Sequence, residues 1–136
     1  MLARRLISLV VLTFALSGLA SIFRAARPVL AADEQAVIAT IKLRSGDMGS
    51  KDEYDRIAAL EDQLSVAIRK SSVGEFDGDE YGGGACTIYM YGPSADRLLS
   101  VTLPILRKFH APPGSYVIKR FGKPGAKQDR IQLGVE

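Results

Sequence analysis

The stretch Gly74–Pro93 constrains this chain more than any other. From Ala85 to Tyr91, the residues Thr87, Tyr89 and Tyr91 alternate with Cys86, Ile88 and Met90. A period of two is what a strand with one buried face requires. Gly82-Gly83-Gly84 turns the chain immediately before it, so Val73 to Tyr81, weakened by Gly78, is predicted to be its hairpin partner. Gly92-Pro93 then stops the strand and opens a helix. A hairpin with one apolar face is not stable by itself, so the remainder of the chain must cover it.

That cover is legible on both sides. Val37 to Leu43 reads as a first strand, with Val37, Ala39, Ile41 and Leu43 facing one way. Ser50-Lys51-Asp52-Glu53 has the S-x-x-E form in which serine and glutamate each satisfy a free backbone N–H, so a helix starts there. Its apolar stripe runs through Tyr54, Ile57, Leu60, Leu64 and Ile68, with acids in the first turn and Arg69-Lys70 in the last, as the helix dipole favours. A second helix begins at Ser94 or Ala95, and Pro104 is expected to kink or divide it. Ala111-Pro112-Pro113-Gly114 ends it, and Tyr116 to Phe121 and Arg130 to Val135 form two last strands. The order β-α-β-β-α-β with one further strand predicts an α+β, ferredoxin-like split βαβ arrangement. Two helices then cover one face of an antiparallel sheet. If Cys86, Ile88 and Met90 meet them, Thr87, Tyr89 and Tyr91 lie on the open face with Thr40, Lys42, Arg130 and Gln132. The facing of Tyr116 to Phe121 is undecided, because neither alternate set is cleanly apolar.

Residues 1–31 read as an export segment, leaving one domain over 32–136. A basic start is followed by the apolar run Leu6–Ala20, with small-residue cleavage sites after Ala20 and, preferred, after Ala31. The expected location is periplasmic or secreted. The alternative is an uncleaved inner-membrane anchor over residues 6–23, the one route by which the chain would touch a membrane. Arg4-Arg5 matches a twin-arginine signal poorly, because Leu6-Ile7-Ser8 departs from that pattern. These 31 residues also carry Arg4, Arg5, Arg24 and Arg27, so without them the 18 Lys and Arg fall by four, one below the 15 Asp and Glu. The body is near neutral, which gives no support to nucleic-acid or anionic-lipid binding. Charge is uneven within it: acids dominate from Asp33 to Glu80, whereas Arg97 to Arg130 carries one acid, Asp129.

The runs Val73-Gly74-Glu75-Phe76-Asp77-Gly78-Asp79-Glu80, Tyr91-Gly92-Pro93 and Pro113-Gly114-Ser115-Tyr116 give the chain a resemblance to a family of small bacterial ferredoxin-like α+β proteins of uncharacterised function. It covers about Val37 to Leu133. In layout and acidic character the chain is also loosely similar to the ribonuclease E activity regulator B-like proteins. The resemblance implies a small regulatory or binding protein and supplies no catalytic residues.

Glu75, Asp77, Asp79 and Glu80 are the acids clustered in a glycine-bearing setting. Carboxylates two apart can share a hard cation, but the twelve-residue calcium loop is absent, so no metal and no cofactor is expected. The same acids suit a contact patch for a basic partner. Tyr89 and Tyr91 on an open sheet suit protein contact or self-association, since a tyrosine buries a large ring and keeps a polar end. Single-stranded RNA on that face is disfavoured, because the glycine-aromatic signature of such strands is missing. Cys86, the lone cysteine, reads as a buried small hydrophobe. His110 reads as a helix-terminal cation, and a pairing with Asp77 or Glu80 would require proximity that spacing does not give. The leading function is a non-enzymatic protein-binding module. The alternative is a metal-binding or hydrolase-like centre on the acidic hairpin.

Overall fold

The structure, a computed structural model, describes residues 34–134. The predicted export segment and its cleavage sites lie outside the described residues. Among the described residues no helix is long and apolar enough to cross a membrane. The elements run β1 (Gln35–Lys42), α1 (Lys51–Ser71), β2 (Glu75–Gly82), β3 (Ala85–Gly92), α2 (Ala95–Lys108), β4 (Tyr116–Arg120) and β5 (Gln128–Gln132). The class is α+β: two helices and one five-stranded antiparallel sheet in the order β2-β3-β1-β4-β5.

Register decides which residues share a face. Val37 pairs with Met90, Ala39 with both Ile88 and Val117, and Ile41 with Cys86. All seven are buried, and they pack against Ile57, Leu60, Leu64 and Ile68 of α1 and Leu98, Leu99 and Leu106 of α2. Both helices therefore cover the same side. Each fully buried leucine contributes about 1.5–3 kcal/mol relative to exposure. The undecided strand is settled by this packing. Val117 and Lys119 point to the helix side, while Tyr116, Ile118 and Arg120 pair with Thr40, Ile38 and Ala36 on the other.

The ends of the elements follow from local chemistry. Ser50 caps α1, and the Glu53 carboxylate accepts from the N–H groups of Ser50 at 3.0 Å and Arg44 at 2.6 Å. The Arg44 bond is the main reason that Glu53 is lowered to about 2. Gly83 and Gly84, both at positive φ, make a two-residue turn between β2 and β3, where Gly82 pairs with Ala85. Pro104 lies inside α2, which nonetheless runs as one helix rather than two. Ser100, whose carbonyl loses its partner to the proline, is exposed, so solvent can satisfy it. The last strand starts two residues earlier than its sequence pattern suggests. Phe121 N–H donates to the Lys127 carbonyl, which closes the hairpin and sets Gln128 opposite Arg120.

Ser115 joins three segments from a fully buried position. Its hydroxyl accepts from the N–H of Lys42 in β1 at 2.9 Å. Its own N–H donates to the Pro112 carbonyl, and its carbonyl accepts from the N–H of Leu133. The Pro-Pro-Gly turn is thus fixed to the central strand and to the end of β5.

Candidate functional site

No described element covers the second side of the sheet. Its rows can be read from the register. One row runs Glu75, Tyr91, Ala36, Arg120, Gln128, the next Gly78, Tyr89, Ile38, Ile118, Arg130, and the third Glu80, Thr87, Thr40, Tyr116, Gln132. Tyr89 and Tyr91 stand here as expected, with Thr40, Lys42, Arg130 and Gln132 on the same face. The centre is half-buried and aromatic or aliphatic. One edge is acidic through Glu75 and Glu80, the opposite edge basic through Arg120 and Arg130.

Local bonds hold these side chains in place. The Tyr89 hydroxyl donates to Glu80 Oε2 at 3.2 Å. Burial, then the Glu80 carboxylate, pushes the Tyr89 phenol above its usual value. Arg130 lies with its guanidinium carbon 3.6 Å from the centroid of the Tyr116 ring, and Arg120 Nε donates to the Gly122 carbonyl at 2.8 Å. Planar guanidinium on an aromatic face is fixed in orientation while its N–H edge remains free to bond.

The four hairpin acids do not converge. The β2–β3 register shifts between Phe76 and Gly78, so Asp77 is the extra residue of a bulge. The bulge leaves Glu75 and Glu80 on the open face and turns Asp79, opposite Ile88, toward the helix side. There Asp79 meets two residues that the hairpin pattern does not contain. The ligand atoms of Glu61 in α1, Asp79 and Cys86 lie within 4.8 Å of one another. The Cys86 thiol donates to Asp79 Oδ2 at 3.8 Å, and Glu61 Oε1 is buried with no hydrogen-bond partner. A signal for Glu61 was present: it stands four residues after Ile57 and three before Leu64, on the stripe that α1 turns to the core.

The cluster holds protons. Burial, then Asp79 and Asp62, raises Glu61 to about 7, and burial pushes the Cys86 thiol up to about 12. Metal donors must lose their protons, so a cation at this cluster would have to displace the protons on Glu61 and Cys86. Because the folded-state value of Glu61 lies above its ordinary value of 4.5, the neutral acid is what the fold prefers. The contribution of Glu61 to stability is therefore full below about pH 4.5 and is lost as pH rises through about 7. Thermal melts should show that decline in the wild type, whereas Glu61→Gln stays level and melts a few degrees higher above pH 7. Parallel curves for the two proteins would remove Glu61 as the titrating group.

Among the described residues His110 belongs to no cluster of this kind. It is exposed, at positive φ, just beyond the end of α2. Two shallow depressions, of about 380 Å³ and about 350 Å³, flank Gly74 and Glu75, and neither includes His110 or Cys86. No protein family, no curated protein and no solved structure matches the chain. The open face and the Glu61 cluster are thus the features on which a functional reading rests.

Proposed function

We propose that the chain is a non-enzymatic protein-binding module that works through the open sheet face. In this reading β1 to β4 form a ferredoxin-like split βαβ unit, β5 widens the sheet, and the module is exported or tethered at the membrane. The observation that carries it is the face itself: half-buried tyrosines and isoleucines at the centre, charge at both edges, and no described element over them. A desolvating aromatic centre inside a charged rim is the anatomy of protein interfaces. The alternative, a metal-dependent or hydrolytic centre on Asp77, Asp79 and Glu80, needs those carboxylates to converge, and the bulge in β2 directs them apart.

Pull-down from a native extract with the wild type and with Tyr89→Ser, Tyr91→Ser tests this reading. Both hydroxyl-bearing replacements leave the helix-side core untouched, so circular dichroism should be unchanged. Each central tyrosine is worth about 2 kcal/mol at an interface, so captured material, whether a different protein or further copies of this chain, should fall by tenfold or more. Equal recovery with both proteins would overturn the proposal.

A further inference from the structure

The sign pattern on the open face is self-complementary, and we infer that its partner is a second copy of this chain, laid face to face about a two-fold axis parallel to the strands. This rests on the reading of the face as an interaction surface and specifies its occupant. The order β2-β3-β1-β4-β5 places β1 at the centre, with the acidic strand at one edge and the basic strands at the other. With strands about 4.8 Å apart, the two edges are separated by roughly 19 Å. Only two in-plane axes bring two such faces together with their strands aligned. An axis perpendicular to the strands lays β2 on β2, opposing Glu75 and Glu80 to their own copies, which like-charge repulsion disfavours. An axis parallel to them lays β2 over β5 and β3 over β4 of the other copy. That brings Glu75 and Glu80 to the side of the partner that carries Arg120 and Arg130, twice by symmetry.

The charges needed are available. Among the described residues, none of Glu75, Glu80, Arg120 and Arg130 takes part in an ion pair, although Lys119 on the helix side engages both Asp96 and Asp129. Arg130 is already oriented on Tyr116, so less of its freedom is lost on pairing. Size sets the strength. Strands of five to eight residues in a five-stranded sheet outline a face of roughly 500 Å² per copy, below the roughly 800 Å² a side of a standard interface. The dimer is therefore weak and concentration-dependent, and it weakens as salt screens the edge pairs.

Sedimentation velocity over a concentration series tests the arrangement with two charge-reversed chains. One carries Glu75→Arg and Glu80→Arg, the other Arg120→Glu and Arg130→Glu. All four side chains are on the open face, so both chains should fold, which circular dichroism verifies. The wild type should dimerise, each reversed chain alone should stay monomeric, and an equimolar mixture should regain the dimer, since both contacts then pair opposite charges. A wild type that stays monomeric at every concentration overturns the second-copy assignment and leaves the face open to a different partner. A dimer that survives Tyr89→Ser, Tyr91→Ser overturns the use of the face altogether. A dimer that those tyrosine changes abolish but that the mixture does not restore overturns the two-fold arrangement alone.

Discussion

Gly92→Ala should cost on the order of 3 kcal/mol, the upper end for overpacking a well-filled site. The position is the last residue of β3, and its backbone is crossed there by the chain leaving α1. A Cβ at Gly92 would stand 2.4 Å from the Val73 carbonyl oxygen and 3.2 Å from the Cα of Gly74. The first distance is impossible, and the atom it meets is backbone, which cannot rotate aside as a side chain can. Either β2 must separate from β3 or the turn after Ser72 must move. Both disturb Val73, which is buried in the core beside Ile68. The crossing also explains why a glycine stands before the proline that opens α2. For a domain of this size, a loss of about 3 kcal/mol lowers the melting temperature by on the order of 10–20 °C. Gly83→Ala is the control, because a Cβ there meets nothing within 4 Å and only its positive φ is penalised. A melting temperature for Gly92→Ala equal to or above that of Gly83→Ala would contradict the close approach.

The layers of the fold were legible because each rests on a local rule. Alternation of Cys86, Ile88 and Met90 with Thr87, Tyr89 and Tyr91 gave β3 and its two faces, and the register confirms both. The capping pair Ser50 and Glu53 gave the start of α1 to the residue. What escaped depends on distance through space. The bulge at Asp77 has no sequence mark beyond the neighbouring Gly78, yet it reverses the facing of everything on one side of it. Four acids that read as one cluster are thereby divided between two faces. Glu61 escaped for the opposite reason. Its spacing placed it on the core stripe, but its meeting with Asp79 and Cys86 requires knowing that β2 is the edge strand packed beside α1. The facing of β4 was undecidable in sequence because each alternate set mixes apolar residues with a base, Tyr116 and Ile118 with Arg120, and Val117 and Phe121 with Lys119. Burial against α2 and pairing with Ala39 decide it.

The two-fold arrangement has a second consequence of large effect. Because β1 is the middle strand of five, an axis parallel to the strands that passes over it sets each open-face residue of β1 opposite its own copy. Ile38, half-buried in the central row between Tyr89 and Ile118, then faces Ile38 of the other chain across the interface. The native thiol does not interfere with a cysteine introduced there. Cys86 is fully buried and its burial pushes it up to about 12, so it is neither accessible nor ionised. Treatment of Ile38→Cys with a short bis-maleimide is the most direct measurement of whether two sheets meet face to face. A covalent dimer should form from Ile38→Cys at concentrations where the wild type associates, and none from Ser100→Cys on the exposed side of α2. Cross-linking through Ser100→Cys with none through Ile38→Cys would place the contact on the helices and contradict the account.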